Sequence, residues 1–218
     1  MRKVAKAAVA RQSDTYRSGD FRRRVFANVG RDPSDVAICV DALLDDRRIP
    51  IAGAGLPAVP AVWSDAACVL AAVAGRQRAP ESVLRVTTRI CTMPVRFDIG
   101  RRGRAAGKPA PLATFGAALA DLLRRLHAGA APGLPDSVPL VTVTWSEGGA
   151  ALFGTIDFSG MGGGKRLYSD GRLPLPPDGD WDFVRLPTVG GSLFSSPSIV
   201  GLSGVFGGTP LLASAGKA

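Results

Sequence analysis

The sequence predicts an α+β protein, in which a helical N-terminal domain is followed by a small antiparallel β region and a flexible C-terminal tail. Apolar residues recur at helical spacing as far as about residue 130, and they alternate with polar residues between 138 and 186. From 187 to 218 the chain is rich in Gly and Ser and carries one charge, Lys217, which is typical of a low-complexity end. Because 46% of the residues are hydrophobic, the chain has enough apolar side chains to form a core.

Residues 1–31 are predicted to form a basic arm that leads into a short helix. Nine of these residues are basic and two are acidic, so the segment carries +7 of the net charge of +9. Phe21 and Val25 lie on one face of a helix over 18–29, and Gly30 is a suitable residue to end it.

Residues 32–130 are predicted to form a helical domain. Asp32 can cap the first helix and Pro33 suits its first position, where the missing N–H costs nothing. The segment 49–62 is punctuated by Gly and Pro and is predicted as a short hairpin or wing, and residues 95–113 include a predicted basic loop, RRGRAAGKP. The four helices are predicted over 33–48, 64–74, 80–92 and 115–128.

The β region is predicted over 138–186. Residues 138–145 and 150–158 alternate apolar and polar residues, and the Glu-Gly-Gly sequence between them suits a hairpin connection. Two further extended pieces are predicted at 165–169 and 182–186.

The charge balance predicts a polyanionic partner. The net charge is +9 and the isoelectric point is about 10.3, and Arg, which binds phosphates with a bidentate fork, far outnumbers Lys. We therefore predict binding to double-stranded DNA through two basic clusters that contact phosphates. The predicted contact residues are Arg22, Arg23 and Arg24 in the first cluster and Arg101, Arg102, Arg104 and Lys108 in the second.

The order of helix 33–48, Gly/Pro segment and helix 64–74 is typical of helix-turn-helix and winged-helix modules. Helix 33–48 has an acidic outer face, which a DNA groove would repel. We therefore predict that helix 18–29 enters the groove. An ordinary helical subdomain with a solvated basic arm is the alternative interpretation.

Two short motifs extend this likeness. They are Ser64-Asp65-Ala66-Ala67 at the start of one helix and Thr114 to Leu119 at the start of another. Over roughly residues 20–125 the chain resembles DNA-binding proteins of bacterial prophages and mobile elements. The resemblance implies a regulator or a packaging factor similar to a small terminase, and it assigns no individual functional residue.

The sequence predicts no enzyme activity, catalytic residue, cofactor or metal site. Residues 159–166 imitate a phosphate-binding loop, but the Gly and the Ser/Thr that such a loop requires at its two ends are missing. Cys39, Cys68 and Cys91 form no CxxC pair, and each is interpreted as a small buried hydrophobe in a reducing, cytoplasmic compartment. The one histidine, His127, is predicted to lie at the end of a helix.

No membrane partner is predicted, because residues 1–14 lack the apolar centre of a secretory signal and no stretch of about 18 apolar residues occurs. A rival to DNA binding is a structural or assembly protein, which would form a homo-oligomer or bind other subunits through the β region and residues 187–218. A hydrolase or nuclease whose site is hidden in the sequence is a third alternative.

Overall fold

The computed structural model describes nine parts of the chain, and all statements below concern them. They are residue 16 and residues 19–49, 62–99, 114–127, 140–146, 151–157, 164–170, 188–194 and 196–207. The helices within them are α1 (Gly19–Val29), α2 (Pro33–Asp45), α3 (Val62–Ala74), α4 (Pro80–Thr92), α5 (Phe115–His127) and α6 (Ser196–Gly207). The strands are β1 (Val95–Ile99), β2 (Leu140–Ser146), β3 (Leu152–Asp157), β4 (Lys165–Ser169) and β5 (Thr188–Phe194). The predicted α+β class is confirmed.

Local signals set the ends of several helices as expected. The Asp32 carboxylate accepts a hydrogen bond from the Ser34 backbone N–H at 2.8 Å, with Pro33 in the first turn of α2. The Thr114 hydroxyl accepts from the Ala117 N–H at 3.3 Å at the start of α5. Gly30, which follows α1, has a φ of +64°, the left-handed conformation that ends helices.

Two predicted helix ends are wrong. The sequence predicts a helix over 33–48, but α2 ends at Asp45. Arg47 takes a φ of +57°, which lies outside the helical region, so the helix cannot continue through it. The second was expected to begin after a cap at Ser64, whereas α3 begins at Val62 and includes Ser64.

Helix α3 lies in the middle of the helical layer and packs on α2, α4, α5 and α6. Its described side chains are buried except those of Trp63, Ser64 and Cys68. The alanines in this helix explain how this is possible, since small side chains let four neighbours approach from different sides. A helix buried on all sides cannot enter a DNA groove.

The five strands form one antiparallel sheet in the order β1-β4-β3-β2-β5. The predicted hairpin is confirmed, since β2 pairs with β3 from Leu140 opposite Asp157 to Trp145 opposite Leu152. The extended piece predicted at 165–169 is β4, whereas residues 182–186 lie outside the described residues. Residues 95–99, expected within the helical domain, instead form the edge strand β1 of the sheet, because they pair with β4.

The segment assigned to the C-terminal tail contributes to the core. Residues 188–194 form β5, which pairs with β2, and α6 packs on α1 and α5. Ile199, Leu202 and Val205 of α6 are buried. The scarcity of charge in this segment therefore reflects burial up to Gly207, and residues 208–218 lie outside the described residues.

Phe115 of α5 joins the helices to the sheet. Its ring meets the ring of Tyr168 on β4 edge-on, with centroids 5.4 Å apart, and lies over Gly154 of β3. The buried residues of the helices and of the sheet form one continuous hydrophobic cluster around this contact.

Replacing Gly154 by Ala is expected to lower the free energy of unfolding by about 1–3 kcal/mol, because overpacking forces rigid neighbours apart. The new Cβ would lie 2.6 Å from Cε2 of Phe115 and 2.9 Å from Cε of Met93. Urea denaturation measures the loss. Gly19→Ala is the matched control, since a Cβ there meets no atom within 4 Å. Equal effects at the two positions would contradict tight packing between α5 and β3.

Candidate nucleic-acid interface

Helix α1 exposes two neighbouring arginines on its solvent side. Its inner side is anchored by Phe21 and Val25, and the Phe21 ring contacts the rings of Tyr16 and Phe206 at centroid distances of 5.1 and 5.4 Å. The anchored side leaves Arg23, whose side chain is 71% exposed, and Arg24 in solvent. Both guanidinium groups are therefore held by a fixed helix and accessible to a large ligand.

The pairing of these arginines with carboxylates is weak. Arg23 lies 3.9 Å from Asp20, and both side chains are more than two-thirds exposed. Ion pairs at such exposure contribute about 0–1 kcal/mol and are screened by salt, so a phosphate competes easily for Arg23. No ion pair is recorded for Arg24 within the described part of the chain.

Arg22, the remaining member of the first predicted cluster, points in a different direction. Its guanidinium donates to the Asp41 carboxylate of α2 at 2.5 Å, and its side chain is only 20% exposed. A half-buried charged pair of this kind holds α1 against α2. The structure thus brings Arg23 and Arg24 together at the surface and places Arg22 at the contact between helices.

The second predicted cluster, Arg101, Arg102, Arg104 and Lys108, lies outside the described residues. The described residues contain 15 Lys and Arg against 12 Asp and Glu, a net charge of +3, so the other segments carry +6 of the total of +9. The larger share of the net positive charge therefore belongs to the other segments of the chain.

A groove between α2 and α4 has the opposite charge. It has a volume of about 580 Å³ and an apolar floor that includes Ile38 and Leu84. Its remaining lining residues are Asp41, Ala42, Asp45, Asp46, Arg78 and Pro80. The carboxylates of Asp41, Asp45 and Asp46 would repel a phosphate backbone. The basic surface of α1 therefore ends on the side where Arg22 meets Asp41. The acidic outer face predicted for the helix that begins at Pro33 is confirmed in α2.

The three cysteines differ from one another more than the sequence suggested. Cys39 is buried as expected, and burial raises the pKa of its thiol to about 11. Cys68 and Cys91 are partly buried and pack against the hydrophobic core. The interpretation of the three cysteines as small hydrophobes therefore agrees with the structure, although Cys68 and Cys91 are not fully buried.

Asp65 is a buried carboxyl that sequence reasoning treated only as part of a short motif at a helix start. It is 5% exposed and accepts a hydrogen bond from the Tyr16 hydroxyl at 3.3 Å. Burial raises the pKa of Asp65 to about 6, and the Tyr16 hydrogen bond partly opposes this shift. No local signal reveals this position, because the burial comes from the helices that surround α3.

His127 lies in the last turn of α5, as predicted, and its ring packs against that of Trp63 with centroids 5.0 Å apart. In the described ranges no three His, Cys, Asp or Glu side chains come together in a way that could hold a metal ion.

In its described parts the protein has an α+β fold with a five-stranded antiparallel sheet. Its surface helix α1 exposes Arg23 and Arg24. No protein-family model, curated protein or solved structure matches the chain. Among the helices that the structure describes, none combines the length and the apolar character needed to cross a bilayer.

Proposed function

We propose that this protein binds double-stranded DNA through its phosphate backbone, with the solvent side of α1 as the contact surface. The observation that carries the proposal is the exposure of Arg23 and Arg24, side by side on an anchored helix and without a strong carboxylate partner. Regulation and packaging of DNA, the two roles that the sequence resemblance implies, both require such binding.

The position of α1 in the chain supports this surface. Tyr16 is buried against Phe21, so the basic arm that precedes it is joined to the fold at the start of α1. The arm contributes Arg2, Lys3, Lys6 and Arg11, which precede α1 in the chain. Cations that bind a phosphate backbone release condensed counterions, which drives association at low salt.

The matching test is a salt titration of duplex binding with the full chain. The double variant Arg23→Gln/Arg24→Gln removes two phosphate contacts, so the slope of log K against log salt should become shallower by about 1.8. At 0.1 M salt the affinity should fall roughly 10-fold or more, measured by fluorescence anisotropy with a labelled duplex.

The control variant is Arg124→Gln/Arg125→Gln on α5. It has the same change of charge at another adjacent pair, but both arginines are bound to Asp121 at 2.6 and 2.7 Å. Its slope and affinity should stay close to those of the wild type. Equal losses in the two double variants would mean that only net charge matters, and an unchanged affinity of the α1 variant would refute the proposed surface.

A further inference from the structure

The solvent side of α1 changes character along the helix. Arg23 and Arg24 are exposed in its first half, whereas the exposed residues that follow them, Phe26 and Ala27, are apolar. Side chains three and four positions apart are neighbours on a helix surface, so Arg23 lies beside both Phe26 and Ala27. The Phe26 side chain is 37% exposed, and its ring is therefore accessible to a ligand that the arginines hold against the helix.

The one amide side chain of α1 is turned away from this side. Asn28 donates a hydrogen bond to the Arg24 backbone carbonyl at 2.8 Å. Its amide also packs against Gly201 of α6, where an added Cβ would overlap the Asn28 side chain. Asn can read adenine in the major groove with two hydrogen bonds, but here the amide would have to leave both of these contacts. Beyond Arg24, the solvent side of α1 therefore presents only apolar side chains.

This sequence of cationic and apolar turns matches the chemistry of the major groove of DNA. The groove is about 12 Å wide and admits an α-helix. Its edges are lined by phosphates, which arginines can contact. The base edges on its floor carry hydrogen-bonding groups, to which thymine adds an apolar methyl group that Phe and Ala side chains can contact. A helix surface with cations in one turn and apolar side chains in the next can thus hold the phosphates and contact thymine methyls together.

We propose that Phe26 contacts thymine methyl groups in the major groove and gives the α1 surface a preference for A·T base pairs. Ala27 provides a smaller apolar contact of the same kind beside it. This inference rests on the proposed DNA binding, and it adds to the phosphate contacts of Arg23 and Arg24 the bases that the same surface favours.

The test is a double-mutant cycle in which one contact partner is changed in the protein and the other in the DNA. Fluorescence anisotropy gives the affinity of the full chain for a short alternating A·T duplex, and for the same duplex with deoxyuridine in place of every thymidine. The two duplexes have the same phosphates and hydrogen-bonding groups and differ in the methyl groups. The wild type should bind the uracil duplex roughly 4-fold more weakly, which is the loss expected for one buried methyl group. Phe26→Ala should bind both duplexes equally.

Leu193→Ala is the matched control, because Leu193 is another exposed hydrophobic residue but lies on β5 of the sheet. It should retain the wild-type ratio of the two affinities. Each ratio compares two duplexes with the same protein, so a small loss of stability in a variant does not enter it.

A wild-type ratio close to one, or a ratio that survives Phe26→Ala, would overturn the inference. The proposed duplex binding would still stand in that case if Arg23→Gln/Arg24→Gln weakens binding and makes the salt slope shallower. Absence of any duplex binding by the wild type would overturn both. Tighter binding to the single strand than to the duplex, with equal affinity for thymine and uracil, would mean that Phe26 stacks on unpaired bases, and it would also overturn the inference.

Discussion

Replacing Phe115 by Ala is expected to lower the free energy of unfolding by about 3–5 kcal/mol. The Phe115 side chain is 0% exposed and fills the space between α5 and the sheet, where it meets Tyr168 and Gly154. Its backbone N–H also donates to the Met93 carbonyl at 2.9 Å, so the backbone cannot shift freely to close the cavity that the substitution creates. The loss should therefore include both the transfer free energy of the ring and the cost of the cavity.

Urea denaturation followed by far-UV circular dichroism measures this effect. Phe26→Ala on α1 is the matched control, because Phe26 is 37% exposed and the same group is removed there from partial contact with water. The control should lose about 1–2 kcal/mol. A Phe115 variant that is no less stable than the Phe26 variant would contradict the position of Phe115 at the centre of the core.

Replacing Asp65 by Asn is expected to raise the free energy of unfolding at pH 7.5 by up to about 3 kcal/mol. The pKa of Asp65 is about 6 in the folded state, against an ordinary value of 3.8. Between these two pH values the folded wild type keeps a proton that the unfolded chain has released, so its stability falls as pH rises. Above about pH 6 both states are ionised and the full penalty remains. Asn retains an oxygen that can accept from the Tyr16 hydroxyl and carries no charge.

The difference in stability between the Asn variant and the wild type should therefore grow from pH 4 to pH 6 and stay constant above that. Denaturation in urea at several pH values gives this difference directly. The control is Asp20→Asn, because the Asp20 side chain is 73% exposed and loses little hydration on folding. A difference that is independent of pH for Asp65→Asn would show that the carboxyl ionises normally in the folded state.

The candidate DNA surface illustrates how far a sequence can lead. The sequence identified the three consecutive arginines of α1, but it could not tell which of them point to solvent. Neighbouring helical residues differ in direction by about 100°, so the side that faces the core depends on where α1 packs. Packing against α2 placed Arg22 beside Asp41 and left Arg23 and Arg24 exposed.

Local sequence signals sufficed for elements whose ends are set by their own residues. The bounds of α4 follow from Pro80 at its start and Met93-Pro94 at its end. The hairpin of β2 and β3 follows from alternating, β-branched-rich segments on either side of a Gly-rich stretch of sequence. Each of these features involves residues within a few positions of one another. Such short-range preferences act in the same way whatever surrounds them, which is why periodicity and capping predicted them.

Tertiary structure alone decided that the uncharged segment 188–207 forms a strand and a core helix, and that Asp65 is buried. These outcomes depend on contacts between residues far apart in the chain, such as the hydrogen bond from Ser192 to the Ala74 carbonyl across 118 residues. Burial and charge pairing arise from the sum of such contacts, and no local spacing records which distant residues will supply them. The sequence by itself therefore determined the class of the fold and the helices and strands with strong local signals, whereas tertiary packing decided which arginines are accessible and which carboxyl is buried.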